Sequence, residues 1–119
     1  MVLVDTVVWV HHLRFGNLHL KELLLEGEVT CHPFIVGELA CGQLKNRQEI
    51  LSLLQELPVV EPIENEEILQ FIENHHLMGI GLGYIDMHLL ASARLTHTAL
   101  WTVDKKLKEV SSRLNVKYE

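Results

Sequence analysis

The sequence has few cysteines, which can cross-link a small domain, and few prolines, which interrupt helices and strands. Two cysteines and three prolines occur in 119 residues, and no apolar run approaches the roughly 18 residues that a membrane-spanning helix requires. The first apolar stretch ends at Asp5 and has no basic leader, so it is not typical of a secretory signal. We therefore predict one domain over residues 1–119, with no membrane segment and a cytoplasmic location.

The cysteines and the scarcity of positive charge narrow the function classes further. Cys31 and Cys41 each stand beside apolar residues and outside any CxxC pair, which favours two reduced core thiols over a disulfide and gives no support for a zinc site. Ten Lys and Arg against sixteen Asp and Glu leave a formal net charge of −6. That charge argues against broad electrostatic binding to nucleic acid but permits a local basic patch, so a polyanionic substrate would need help from cations.

Apolar periodicity predicts short strands that alternate with helices. Strands are predicted at residues 1–4, 28–33 and 99–103, with further short strands at 59–62 and 116–118. Helices are predicted at residues 5–14, 18–27, 34–44, 46–57, 65–77, 84–95 and 104–114. This alternation is typical of an α/β fold with a parallel sheet and helices on both of its faces.

Aspartate is rare, and its positions are the most informative feature of the chain. The three aspartates all end an apolar run: Asp5 in VLVD, Asp86 in GYID and Asp104 in WTVD, while Glu38 ends a similar run in FIVGE. Strand carboxyl ends and the helix starts that follow them gather at one edge of a parallel sheet, where ligands bind in open α/β folds. We therefore expect these four carboxylates, with Asp86 and Glu38 in the first turns of their helices, to converge on one pocket.

Four converging carboxylates would repel one another and raise each other's pKa unless a counter-charge were present. An oxygen-rich, sulfur-free set of ligands suits Mg²⁺ or Mn²⁺. The chemistry favoured by such a site is hydrolysis of a phosphodiester by water. The sequence thus predicts a divalent-cation site that acts on phosphate.

Ordinary structural roles remain open for each carboxylate taken singly. Asp is a favoured N-cap, so capping alone would place Asp5 and Asp104 where strands meet helices. Glu38 has the alternative of an exposed helix glutamate. Asp86 is flanked by apolar residues in YIDMHLLA, where a charge without a partner is unfavourable. The joint occurrence of all four favours a functional site.

Four segments, in this order and spacing, resemble the PIN-domain ribonucleases of the VapC toxin type: MVLVDTVVWV, FIVGELACG, GLGYIDMHLLASA and LWTVDKKL. The resemblance spans almost the whole chain. It implies a three-layer α/β/α sandwich with a short-stranded, mainly parallel sheet, and metal-dependent endoribonuclease activity that a VapB-like antitoxin restrains. It also implies a homodimer.

The resemblance also carries over individual residues. The acidic site falls on Asp5, Glu38, Asp86 and Asp104, with Asp5 and Asp86 as the expected direct ligands of Mg²⁺ or Mn²⁺. Supporting hydroxyls are expected at Thr6 and Thr102, which would orient the carboxylates. On their charge alone, and not from the resemblance, the candidate contacts to RNA phosphates are the basic residues Lys45, Arg47, Arg94, Lys105, Lys106 and Lys108, although a solvated helix face explains the lysines equally well.

Two rival functions come from other classes. Gly79, Gly81 and Gly83, followed at about 20 residues by Asp104, resemble a dinucleotide-binding fingerprint, but the segment before them is predicted to be a helix rather than the strand that this fingerprint requires. A catalytically silent module that uses the acidic edge to bind a partner's arginines stays open. The pairs His11–His12 and His75–His76 have no metal-ligand spacing, and His88 should face away from Asp86.

Overall fold

Three short parallel strands form the centre of the protein in a computed structural model that describes residues 1–119. They are β1 (Val2–Val4), β2 (Val29–Thr30) and β3 (Ala99–Trp101), in the order β2-β1-β3. All of β1 is buried, as expected for the middle strand of a parallel sheet that is covered on both faces.

Seven helices surround the sheet, and each strand leads into one of them. They are α1 (Thr6–Phe15), α2 (Leu18–Leu25), α3 (Pro33–Cys41), α4 (Arg47–Glu56), α5 (Asn65–Asn74), α6 (Tyr84–Leu95) and α7 (Lys105–Arg113). No helix combines the length and the apolar character that crossing a membrane requires. The predicted α/β sandwich with a short-stranded parallel sheet is confirmed.

The two additional strands predicted near the sheet edges are reduced to single bridges. Val59 bridges to Cys31, and Lys117 bridges to Leu100, both in the parallel sense. The first segment lies between Pro58 and Pro62, which have no N–H to extend a ladder. These bridges cover the edges of the sheet without widening it.

Helix α6 passes through the centre of the core. Seven consecutive residues, from Met87 to Ala93, are buried, and Leu89 and Leu90 have no exposed surface. A helix that is apolar all round is expected to lie in the interior, and this one does. The core therefore fixes the position of the start of α6, where Asp86 lies.

The two thiols have different surroundings. Cys31 is free and buried, as predicted, and burial raises its pKa to about 11. Cys41 is free but exposed, so its prediction as a core thiol is wrong. The reason is its position as the last residue of α3, where the chain leaves the core.

Candidate active site

Asp5 and Asp104 lie at the carboxyl edge of the sheet, and both cap a helix. Asp5 follows β1 directly and is the N-cap of α1, while Asp104 follows β3 and is the N-cap of α7, with its carboxylate accepting a hydrogen bond from Leu107 N at 2.8 Å. The backbone N–H of Asp5 donates to Trp101 O at 2.9 Å, which ties the ends of the two strands together. Asp5 and Asp104 therefore each cap a helix and also lie at the same edge of the sheet.

Thr102 joins these two aspartates through one hydroxyl. Asp5 is buried, and its two carboxylate oxygens accept hydrogen bonds from Thr6 N at 2.8 Å and from Thr102 Oγ1 at 2.7 Å. Thr102 Oγ1 also accepts a hydrogen bond from Asp104 N at 3.1 Å. Because the backbone N–H is the donor in the second bond, the hydroxyl proton is free to point at Asp5, which fixes that carboxylate's orientation.

Glu38 and Asp86 reach the same edge from two other helices. Thr6 Oγ1 donates to Glu38 Oε1 at 2.7 Å, which links α1 to α3. Asp86 lies in the first turn of α6 and accepts a hydrogen bond from Gly83 N at 3.1 Å. Glu38 lies in the second turn of α3 rather than in the first, because that helix begins at Pro33.

The pKa of Asp86 is affected by burial and by the other three carboxylates. Burial raises the pKa of Asp86, the Gly83 N–H opposes this rise, and the negative charges of Asp5, Asp104 and Glu38 raise the pKa further. Three like charges act on one group in this way only when they lie within a short distance of it. Hydrogen bonds through Thr6 and Thr102 thus connect Asp5, Glu38 and Asp104 at this edge, and Asp86 lies within electrostatic range of all three.

The family of this chain follows from comparison with known proteins. The PIN domain profile matches residues 2–112. The chain belongs to the PIN-domain family. Within it, the sequence is 42% identical over 117 residues to Ribonuclease VapC32 of two Mycobacterium tuberculosis strains, CDC 1551 / Oshkosh and ATCC 25618 / H37Rv, covering 98% of this chain and 94% of each relative. These matches make it a PIN domain of the VapC type, as the resemblance predicted.

A solved structure has the same fold at low sequence identity. The crystal structure of PAE2754 from Pyrobaculum aerophilum matches this PIN domain with a TM-score of 0.62 and 15% identity, over 98% of this chain and 96% of that one. At this identity the likeness concerns the fold alone. It agrees with the arrangement of strands and helices described above.

The donor chemistry of the acidic edge fits a hard divalent cation. All of its side-chain donors are carboxylate or hydroxyl oxygens, which Mg²⁺ and Mn²⁺ prefer. The mutual repulsion at Asp86 is of the kind that such an ion relieves. At their present separations no three His, Cys, Asp or Glu side chains form a ready set of ligands for one ion. Asp5 and Asp86 stay predictions as direct ligands, with Glu38 and Asp104 as their partners, and a bound ion would have to draw these carboxylates closer together.

The glycine segment before Asp86 is a turn between two helices. Gly79 and Gly81 have φ of 67° and 90°, which favour glycine, and Gly83 is the N-cap of α6. The segment follows α5, a helix, so the dinucleotide-binding alternative lacks the strand that it needs. The hydrogen bond from Gly83 N to Asp86 was not predicted, although an acidic residue three positions after a possible N-cap is a signal for it.

The basic residues named as RNA contacts fall into separate places. Lys105 and Lys106 begin α7 beside Asp104 and are exposed, and Lys106 also pairs with Glu109 at 3.6 Å. Lys45 is exposed in the segment between α3 and α4. Lys108 is exposed further along α7. These residues stay predictions as phosphate contacts.

Arg47 and Arg94, the two arginines among the candidate RNA contacts, form hydrogen bonds with backbone carbonyl oxygens. Arg47 donates to the carbonyl oxygens of Ala40 and Gly42, which would otherwise be unsatisfied at the end of α3. Arg94 is near the end of α6 and donates to Leu114 O at 3.0 Å. It lines a cavity of about 470 Å³ beside Ala99, the first residue of β3, so the structure does not bring it to the acidic edge.

Two buried histidines, His32 and His88, lie in the interior beside α3 and α6. His88 packs against Phe34 and Tyr84, with ring centroids at 4.7 and 4.6 Å, and so faces away from Asp86 as predicted. His32 has no exposed surface, and its Nδ1 accepts a hydrogen bond from Phe34 N at the start of α3. Burial, with a smaller contribution from His88, lowers the pKa of His32 to about 4. Its capping role was not predicted, although the Pro33 that follows it was a signal of a helix start.

Proposed function

We propose that this PIN domain is a divalent-metal-dependent endoribonuclease and the toxin of a toxin–antitoxin system. The observation that carries the proposal is the acidic edge itself: Thr6 and Thr102 link Asp5 to Glu38 and Asp104, and the charges of these three carboxylates act on Asp86. The name of the relatives from Mycobacterium tuberculosis, Ribonuclease VapC32, supports it. The substrate class would be single-stranded or looped RNA.

The side chains would divide the chemistry among them. When bound, Mg²⁺ or Mn²⁺ would hold the scissile phosphate, promote attack by water and offset the charge on the leaving oxygen. Asp5 and Asp86 would hold the ion, and Glu38 and Asp104 would assist directly or through water. Thr102 would keep Asp5 in one orientation, and Thr6 would do the same for Glu38. Attack by water would leave a 5′-phosphate and a 3′-hydroxyl.

Cleavage of a mixed RNA pool tests the proposal most directly. Purified protein, free of antitoxin, should cleave RNA with Mg²⁺ or Mn²⁺ and should stop when a chelator is added. Asp86→Asn should abolish cleavage, whereas Glu22→Gln removes an exposed carboxylate of α2 and should leave it unchanged. Equal cleavage by the wild type and by Asp86→Asn would contradict the assignment.

Growth of cells that express the protein tests the toxin role. The wild type expressed alone should arrest growth, and Asp5→Asn should not, at equal protein levels. Equal toxicity of the two would argue against a catalytic cause.

A VapB-like antitoxin is the partner that we propose for the acidic edge. Glu38 and Asp104 are exposed, so an arginine of the antitoxin could pair with them and replace the charge of the metal. If the domain were a silent binding module, it would bind such a partner but cleave no RNA in the assay above. The homodimer and the cytoplasmic location stay predictions, which size-exclusion chromatography and cell fractionation would check.

A further inference from the structure

A groove beside the acidic edge has no role in the proposed reaction. It encloses about 650 Å³, runs between α1 and the end of α3, and continues to the start of α4. Glu38 lies on its lining, so the groove opens from the acidic site itself. Val10, Leu13 and Ile50 give it an apolar wall. We call this feature the α1 groove.

The direction of the α1 groove follows from the helix that forms one side of it. Thr6, Val10 and Arg14 succeed one another at intervals of four residues, so they lie along one face of α1. Eight residues of helix place Arg14 about 12 Å from Thr6, at a rise of 1.5 Å per residue. A stacked nucleic-acid strand advances about 3.4 Å per nucleotide, so the groove spans three to four nucleotides from the acidic site.

Two cations line the groove without any partner. Arg14 and Lys45 are both exposed, and neither takes part in a hydrogen bond or an ion pair of its side chain. Arg47, only two residues from Lys45, is by contrast engaged with backbone carbonyls of α3. With Glu38 also on the lining, the groove has a formal charge of +1 in a chain of net charge −6, so it is a place where negative charge is favoured.

The geometry points to the α1 groove as the path of the RNA strand that flanks the scissile phosphate, with Arg14 and Lys45 binding backbone phosphates and the apolar wall accepting a base. This inference rests on the proposed function, because it takes the acidic edge as the place of cleavage. Charge complementarity favours RNA: a polyanion offers a phosphate to both cations whatever its sequence, whereas a peptide would need acidic residues at two set positions.

Binding of RNA by a cleavage-deficient protein tests the inference. Asp86→Asn would be combined with Arg14→Gln, with Lys45→Gln and with both, and the affinity for a labelled single-stranded RNA of random sequence would be measured over a range of salt concentrations at one fixed Mg²⁺ concentration. Lys21→Gln, which removes an exposed cation on α2, is the matched control. Arg14→Lys should restore most of the loss, because it keeps the charge.

The expected result is a loss of affinity together with a change in its salt dependence. Each Gln variant should bind RNA about 3- to 10-fold more weakly. The slope of log K against log salt should fall by about 0.7 for each phosphate contact removed. Lys21→Gln should change neither quantity. Thermal unfolding should be nearly unchanged in these variants relative to Asp86→Asn alone, because both groove cations are exposed and their side chains form no hydrogen bond or ion pair.

These experiments distinguish an error in the groove inference from an error in the proposed function. If the wild type cleaves RNA but the Arg14 and Lys45 variants match Lys21→Gln in affinity and slope, the groove inference is wrong and the proposed function stands. If the wild type neither cleaves nor binds RNA, the proposed function is wrong as well. Unchanged RNA binding with weaker copurification of a coexpressed VapB-like antitoxin would assign the groove to a protein segment and overturn the inference.

Discussion

Replacement of Thr102 by valine tests whether one hydroxyl organises the acidic site. Thr102 is buried, and its Oγ1 contacts both Asp5 Oδ2 at 2.7 Å and Asp104 N at 3.1 Å. Valine keeps the shape of the side chain and removes both hydrogen bonds. Asp5 would keep only the hydrogen bond from Thr6 N, and its second oxygen would be buried without a donor.

The magnitude follows from the kind of bond that is lost. A hydrogen bond to a charged group contributes about 1.5–3 kcal/mol, and the exposed Asp104 can regain part of its loss from water. We therefore expect a decrease of about 2 kcal/mol in the free energy of unfolding, or about 8 °C in Tm. If the same 2 kcal/mol is lost from the positioning of Asp5 during the reaction, cleavage slows about 30-fold, within the range known for residues that orient metal ligands.

Thr102→Ser is the matched control, because serine keeps the hydroxyl and loses only a methyl group. Thermal unfolding without metal and the rate of RNA cleavage at saturating Mg²⁺ would be measured for both variants. Valine should lower Tm and rate, whereas serine should keep most of the rate. A Thr102→Val protein with wild-type Tm and rate would refute the reasoning, and so would a serine variant as slow as the valine variant.

Three further predictions concern stability. Because burial lowers the pKa of His32 to about 4, the unfolded chain binds more protons between about pH 6.5 and 4, so stability should fall by up to about 3 kcal/mol as the pH falls through this range. His32→Asn keeps an acceptor for Phe34 N and should reduce the fall in stability between pH 7 and pH 5, measured by urea titration. Buried His88 should account for part of the fall that remains, because its pKa is also lowered by burial. An unchanged pH dependence in the variant would contradict this prediction. Asp86→Asn should raise Tm without metal, because it removes a charge that burial and three other carboxylates disfavour. Mg²⁺ should raise the Tm of the wild type more than that of the variant. A lower Tm for the metal-free variant would be inconsistent with mutual repulsion. Gly37→Ala, at an open position inside α3, should stabilise the protein by about 0.5–1 kcal/mol, whereas Gly81→Ala, at φ 90°, should destabilise it by about 1–2 kcal/mol, and equal effects in chemical denaturation would contradict the conformational account.

The acidic edge could be predicted from the sequence because it depends on patterns of neighbouring residues. Asp5 and Asp104 each follow an apolar run and start a helix, and parallel strands place such positions at one edge. Asp86 follows from the same pattern at the start of the apolar α6. The supporting hydroxyls Thr6 and Thr102 needed the family resemblance, because nothing in their local sequence shows which carboxylate they contact.

Other features depend on distances between helices and could not be read from the chain. The α1 groove exists because residues 10–14 of one helix face residues 42–50 across a gap, and neither segment has a pattern that encodes the gap. Arg94 was grouped with the other cations, yet its helix carries it to the opposite end of β3. Cys41 has apolar neighbours in sequence but is exposed because α3 ends there.

The buried core and the repelling carboxylates depend on each other. Asp86 is kept near three like charges because Leu89, Leu90 and the other buried residues of α6 fix that helix against the sheet. A mobile helix start would relax away from the repulsion, and the cation that we propose for the site would then be bound less tightly. The hydrogen bonds at this edge come from short threonine side chains and from Gly83 N, donors with little conformational freedom that hold the carboxylates in place. Strain of this kind is retained where the separation of charges, rather than stability, is the property that a site requires.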